Sequence, residues 1–176
     1  DRMGKELAIA EPSLMGAVNA RTFGAKGNGL DDDTAAIQKA MDYAKDNGPV
    51  CFLPAGHYRI DGSLKIPGGV TLMGASGSVS HCKTPNGTVL LVYGGKGNAD
   101  AEPTIVLDWS SVISKVTIHY PEQLPPPNVV EYPWAIQGRG QLCQVLDVTL
   151  TNPYQAIDFG TYHNELHVIR NVFSCL

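Results

Sequence analysis

Asp147 and Asp158 stand on nearby strand-like runs at positions that read as outward-facing, and Glu165 follows in the polar turn Thr161-Tyr162-His163-Asn164-Glu165. Glycoside hydrolysis needs two carboxyl groups across one sugar bond, about 5–5.5 Å apart for retention and roughly 6.5–9.5 Å for inversion. These three acids are therefore the catalytic candidates. Trp109, Tyr120, Tyr132 and Trp134 offer flat apolar faces that suit a sugar ring, and His163 and Arg170 offer polar groups beside them; these six are the substrate-binding candidates. Each has a competing structural role. The acids could simply be solvated or cap turns, and aromatic rings in a loop also serve to pin it to the body of the protein.

A lyase reaction would need Ca²⁺ ligands together with a base, with Arg170 or Arg139 as the candidates. Ca²⁺ takes several oxygen ligands, of which Asp147 and Asp158 supply only some. No other cofactor and no resident metal is expected: His163 and His167 flank a turn and a strand, where a separation of four residues places them apart. The glycine-rich run Tyr93-Gly-Gly-Lys-Gly-Asn-Ala-Asp lacks the order of a phosphate-binding loop and reads as a turn. A formal net charge of −4, without a run of Lys or Arg, argues against a nucleic-acid partner. No apolar stretch approaches the ~20 residues of a membrane helix. Cys51, Cys82, Cys143 and Cys175 lack metal-site spacing. Buried free thiols are the favoured reading, with disulfides left open.

The elements that must carry these residues come in two kinds. Ala36, Ile37, Ala40, Met41 and Ala44 recur at helical spacing, with Asp32 or Asp33 as the expected N-cap and Asn47-Gly48-Pro49 as the stop. From residue 50 onward the pattern becomes short β-rich runs: 50–53, 57–60, 64–66, 70–74, 88–93, 104–108, 112–120, 134–138, 143–151, 155–159 and 166–173. Self-similarity links them. Ile113-Ser-Lys-Val116 matches Val145-Leu-Asp-Val148 and then Ile169-Arg-Asn-Val172, at spacings of 32 and 24 residues, and Ala135-Ile136 matches Ala156-Ile157 at 21. Repeats of this length predict stacked coils that bury one another's apolar layer. Ile113, Val116, Ile136, Val145, Val148 and Ile157 should face inward, and Gln137, Asp147, Thr149 and Asp158 outward. The segment from His119 to Trp134 holds Pro125-Pro126-Pro127 and should leave the coil as a loop.

Phe23-Gly-Ala-Lys-Gly-Asn-Gly-Leu-Asp-Asp-Asp-Thr-Ala-Ala-Ile followed by the strand-like Val50-Cys-Phe-Leu resembles the N-terminal cap of the pectate-lyase-like superfamily. Val116-Thr-Ile-His-Tyr-Pro-Glu-Gln123, Asn152-Pro-Tyr-Gln-Ala-Ile-Asp-Phe-Gly160 and Ile169-Arg-Asn-Val172 resemble its glycosyl-hydrolase-28-related bacterial members. The resemblance implies an all-β fold, a right-handed parallel β-helix (solenoid) with an N-terminal capping α-helix. It divides the chain into an extension (1–15), a cap (16–49) and first coils (50–176), with further coils expected beyond the C-terminus. It also implies extracellular or envelope-associated work on a polysaccharide partner, and a homo-oligomer is compatible with it. The Asn-Thr-Asp, Gly-His-Gly and Arg-Ile-Lys motifs of polygalacturonases are absent. Three readings follow: a glycoside hydrolase, a non-catalytic glycan-binding or tailspike-like solenoid, and a Ca²⁺-dependent polysaccharide lyase.

Overall fold

The computed structural model describes residues 16–76, 86–163 and 165–175. The cap comprises β1 (Ala17–Asn19), a 3-10 turn (Ala20–Phe23), β2 (Asn28–Asp32) and α1 (Thr34–Asn47). Short strands follow: β3 (Val50–Leu53), β4 (Gly56–Ile60), β5 (Leu64–Ile66), β6 (Thr71–Gly74), β7 (Thr88–Val92), β8 (Ile105–Leu107), β9 (Val112–Ser114) and β10 (Thr117–His119). The last are β11 (Trp134–Gly138), β12 (Gln144–Leu146), β13 (Thr149–Thr151), β14 (Gln155–Asp158), β15 (Val168–Arg170) and β16 (Phe173–Cys175).

Every third strand returns to the same sheet. Sheet A runs β1-β3-β6-β9-β12-β15, sheet B β16-β13-β10-β7-β4-β2 and sheet C β14-β11-β8-β5. The neighbours are parallel throughout, so the chain winds as a right-handed parallel β-helix. Val145 pairs with both Ile113 and Ile169, and Ile136 with Ile157, which is the register the repeats predict.

The long runs at 112–120, 143–151 and 166–173 each prove to be two strands on different sheets. The break is a residue in the left-handed region: Lys115 (φ 54°), Asp147 (φ 55°) and Asn171 (φ 52°), stacked coil upon coil. Their backbone ladder does not stop at the corner. The Lys115 N–H donates to Leu146 O at 3.1 Å and the Asp147 N–H to Arg170 O at 2.9 Å. A second column, Gly69, Ser110, Leu142 and Leu166, makes the same turn on entry to sheet A.

Ile113, Val116, Ile136, Val145 and Val148 are fully buried, and Ile157 packs partly buried against them. Each such aliphatic side chain contributes roughly 1.5–3 kcal/mol by leaving water. At the first coil the same layer is closed by α1, whose Ile37, Ala40, Met41 and Ala44 are fully buried. The helix stops at Gly48, whose φ of 146° suits glycine and whose Cβ, if present, would strike Gly16 O. At the other end β15 and β16 pair on one side only, and Leu166, Ile169 and Phe173 are exposed.

Two expectations change. Asp33 occupies the N-cap position of α1 but makes no side-chain capping bond; its carboxylate instead takes the Lys26 and Gly27 N–H groups at 2.7 and 2.9 Å. Asp32 meets the helix, accepting from Thr34 N and Oγ1. Gln137, Thr149 and Asp158 do not stand on an exposed wall: they are 6%, 3% and 7% exposed. For Gln137 and Asp158 the reason is a polar network laid over sheet C.

Cys51 and Cys143 are buried free thiols and Cys175 is a half-buried one; Cys82 lies outside the described residues. Burial pushes the Cys51 thiol up to about 12, which keeps the nucleophilic thiolate scarce. Among the described residues no helix is long and apolar enough to cross a membrane.

Candidate functional site

The outward positions of sheet C fall in register. Lys65 on β5, Val106 on β8, Gln137 on β11 and Asp158 on β14 line up across four coils. The free edge of β5 is closed by the helix: the Gln38 amide donates to Lys65 O at 2.9 Å and accepts from Lys65 N at 2.8 Å. Pairing of this kind stops an edge strand from recruiting another chain.

Over that line lies a chain of polar groups. Asp158 Oδ1 accepts from the Gly160 and Thr161 N–H groups at 2.9 and 3.0 Å, and Oδ2 from Gln137 Nε2 at 2.8 Å. Gln137 Oε1 in turn accepts from Arg139 Nε at 2.8 Å. The Arg139 guanidinium then forks onto Glu102 at 2.9 and 3.0 Å, and Lys65 Nζ lies 3.3 Å from the same carboxylate. Bidentate pairing fixes the plane of the guanidinium as well as its position. Tyr162 lies against Arg139, ring centroid 5.3 Å from Cζ. Trp109, half exposed, lies 5.2 Å from the His163 ring. A groove of about 420 Å³ runs between α1 and this face, lined by Gln38, Asp42, Lys65, Val106, Asp108 and Arg139.

The charge states follow from the bonds. The hydrogen bond from Arg139, strengthened by Lys65, holds the Glu102 carboxyl below its usual range. Burial works against ionisation of Asp158, but the bonds from Thr161, Gln137 and Gly160 outweigh it and its carboxyl is also lowered. A lowered folded value means that Asp158 adds stability above the ordinary aspartate value of 3.8 and loses it as pH falls through the lower folded value. Asp158→Asn is therefore expected to be less stable than the parent at neutral pH, with the gap closing under acid. Urea unfolding across a pH series measures this; a gap that stays constant would remove Asp158 from the acid response.

The three candidate acids are held separately. Asp147 stands at the corner between sheets A and B and accepts from Asn171 Nδ2 at 2.8 Å. Asp158 closes β14 within the network above, and the exposed Glu165 accepts from Gln141 Nε2 at 2.5 Å in the turn leading to sheet A. Asp147 and Asp158 thus stand at different corners of the coil, each engaged by its own neighbour. Tyr120 and Tyr132 present no face to a ligand: both are fully buried, packed edge-to-face at 4.9 Å, with Tyr120 Oη 3.1 Å from Thr104 Oγ1. They pin the loop after β10, because the energy of burying two rings exceeds what exposed stacking offers. Gln123 holds the same loop, its amide bonding both the N–H and the carbonyl of Val130. Trp134 is half-buried at the start of β11, and Arg170 is exposed on β15.

Trp109 and His163 are brought together, and Asp158 is tied to their neighbourhood through Gln137 and Arg139. Lys65 and Glu102 complete the arrangement and were not candidates from sequence, whereas Tyr162 belongs to the polar turn already singled out and Gln137 to the positions read as outward. The spacing of 21 residues between Ile136 and Ile157 did carry one signal, since it also sets Gln137 beside Asp158. Among the described residues no group of three His, Cys, Asp or Glu side chains could hold a metal ion. The oxygens of Asp158 are engaged by Gln137, Gly160 and Thr161.

Residues 17–118 match the family described as rhamnogalacturonase A/epimerase, pectate lyase-like. The chain belongs to that family. The rhamnogalacturonase A/epimerase match spans the cap and the coils down to β10, and the family is one of carbohydrate-active β-helices. Mannuronan C5-epimerase AlgE3 of Azotobacter vinelandii is 40% identical over 98 residues, 51% of this chain and 5% of the epimerase. Alginate lyase 7 of the same organism is 46% identical over 65 residues, 32% of this chain and 8% of the lyase. Among solved structures, the A-module of mannuronan C-5 epimerase AlgE6 from Azotobacter vinelandii superposes with a TM-score of 0.58 at 20% identity. The superposition covers 80% of this chain and 40% of the module. ORF18 of Geobacillus virus E2 gives 0.59 at 22% identity, over 80% of this chain and 28% of that one. At such identities these two structures bear on the fold alone. The chain spans less than a tenth of the length of the AlgE3 epimerase and the alginate lyase.

Proposed function

We propose that this chain is part of an extracellular or envelope-associated enzyme acting on an extended acidic polysaccharide, held along the outer face of sheet C. The observation that carries the reading is the cationic pair Lys65 and Arg139 beside the exposed rings of Trp109 and Tyr162, on a straight wall of stacked coils. The groove also holds the Asp42 and Asp108 carboxylates, so it is the Arg139 and Lys65 pair alone that answers the carboxylates of a uronate polymer, and the rings answer the apolar faces of its sugars. The likeness to proteins named mannuronan C5-epimerase and alginate lyase supports a polyuronate and chemistry that starts by removing the proton next to the uronate carboxylate. Such chemistry needs a base and a group that stabilises the carboxylate-delocalised carbanion, rather than two carboxyl groups across a glycosidic bond.

Glycoside hydrolysis through Asp147, Asp158 or Glu165 asks two of them to face one sugar bond, and each is held by a different neighbour. A second reading is a glycan-binding solenoid without turnover. The separate engagement of the three carboxylates favours it for this stretch of chain, with the reacting groups then supplied by other coils or by none.

The test is to incubate the full-length parent protein with alginate, polygalacturonate and a neutral glycan, with and without chelator. Near-ultraviolet absorbance reports elimination, proton NMR reports inversion at C5, and reducing ends without unsaturation report hydrolysis. Binding of the acidic polymers without turnover would favour the solenoid reading, and absence of both binding and turnover would overturn the proposal. Trp109→Ala is expected to weaken acidic-glycan binding about tenfold, the upper range for one aromatic contact, while leaving the melting temperature near that of the parent. Titration calorimetry measures it.

A further inference from the structure

We propose that Glu102 is an internal competitor for the anion position of the sheet C groove, so that a glycan carboxylate reaches Arg139 only by displacing it. The inference rests on the reading of this face as an acidic-glycan site and adds to it the residue that sets its selectivity.

Arg139 and Glu102 are anchored differently. The guanidinium is held from behind through Gln137 to Asp158, whose own oxygens are tied to backbone N–H groups of the turn after β14. Gln137 and Asp158 are buried, so this support does not shift with the solvent-facing groups. The fork therefore keeps its position whether or not Glu102 occupies it. Glu102 belongs to the connection between β7 and β8 rather than to the wall. Its backbone is fixed on the C-terminal side, where Ser63 Oγ donates to Pro103 O at 2.6 Å and Thr104 N donates to Trp134 O at 3.0 Å. Its side chain is 41% exposed, so a carboxylate released from the fork passes into water.

The carboxylate of a uronate has the planar two-oxygen shape of the Glu102 carboxylate. Both match the Arg139 fork, and both gain from Lys65 on its far side. A neutral sugar offers nothing that repays the loss of the Glu102 ion pair and leaves it closed. The arrangement admits acidic glycans and excludes neutral ones with the same pair of cations.

The experiment compares Glu102→Gln, Arg139→Gln and the double variant with the parent chain. Binding of mannuronate and galacturonate hexamers and of neutral cellohexaose is measured by titration calorimetry at several salt concentrations. Circular dichroism and melting temperature establish that each variant is folded. Glu102→Gln keeps the size and one acceptor but removes the competing charge. It is expected to bind the acidic hexamers about tenfold more tightly, with a steeper salt dependence, because the displaced bond was charge-assisted. Arg139→Gln should abolish that gain in the double variant, and cellohexaose should be unaffected throughout. If the parent binds and Arg139→Gln does not, yet folded Glu102→Gln binds as the parent does or more weakly, the competitor role is overturned while the groove survives. If neither the parent nor Glu102→Gln binds an acidic hexamer, the groove reading falls and takes this proposal with it.

Discussion

Replacing Asp33 with alanine is expected to cost about 3–6 kcal/mol of stability, the loss of two charge-assisted hydrogen bonds at roughly 1.5–3 kcal/mol each. Asp33 is 1% exposed and both its oxygens are used, one on Lys26 N at 2.7 Å and one on Gly27 N at 2.9 Å. The same residue donates its N–H to Arg59 O on β4 and accepts Ile37 N from the first turn of α1, both at 2.9 Å. Gly27 O meanwhile accepts from His57 N at 3.0 Å. One residue thus joins the glycine turn through its carboxylate and the start of the capping helix and the second strand of the first coil through its backbone. Without it, two backbone donors lose their acceptors under a helix that must still cover Ile37 and Met41. For a chain of this size the melting temperature should fall by about 10 °C. Asp33→Asn should lose less, since its amide oxygen still accepts one bond while its NH₂ faces a donor. Asp31→Ala is the control, because its partner Lys26 is a surface ion pair at 3.0 Å and its loss should barely register. Thermal and urea unfolding measure all three. An Asp33→Ala protein as stable as the parent would mean that the carboxylate does not hold the cap.

Neighbouring aspartates show what a sequence can and cannot say. The triplet Asp31-Asp32-Asp33 before a helical pattern marks a helix start, and α1 begins at Thr34. Which carboxylate turns toward the helix and which turns back to a loop depends on where β4 lies, and that is a tertiary fact. The helix itself was legible because five apolar residues at helical spacing carry a strong signal. The repeats were legible because stacking coils forces apolar residues into the same inward slots, which left Val145 matched to Ile113 and Ile169. Their corners were not, because the turning residues are Lys115, Asp147 and Leu142 rather than glycine. Stacked hydrogen bonding between coils offsets the left-handed strain there, and no local composition announces it. The site was the least legible part. Trp109 and His163 were named separately and meet in space, whereas Arg139, Glu102 and Lys65 converge from three coils whose spacing is made irregular by excursions. Tyr120 and Tyr132 read as ring faces for a sugar because aromatic residues in a loop look alike whether they point outward or inward.

Gly140→Ala is expected to damage stability and glycan binding together, which Trp109→Ala is not. A Cβ on Gly140 would overlap Trp109 N, come within 2.6 Å of Trp109 Cα and within 2.8 Å of Asp108 C. All three are backbone atoms of the coil beneath, so no side chain can rotate away to make room. The turn after β11 must lift from the turn after β8, and the Ser110 N–H bond to Gln141 O at 2.8 Å is strained with it. Overpacking a fixed contact of this kind costs about 2–3 kcal/mol. The same movement separates Arg139, which directly precedes Gly140, from Trp109 opposite. Affinity for acidic hexamers should therefore fall by about tenfold or more, since the cation and the ring no longer face one sugar chain together. Trp109 lies 5.2 Å from the His163 ring, so its fluorescence, read in a Trp134→Phe background, gives a local readout independent of global unfolding. Gly160→Ala is the matched control: its nearest neighbour would be Asp158 Oδ1 at 3.8 Å, an ordinary contact, and it should leave stability and binding near parental values. A Gly140→Ala protein with parental melting temperature and unchanged Trp109 emission would show that the two turns tolerate the added methyl, and with it would go the claim that their close stacking sets the spacing of the site.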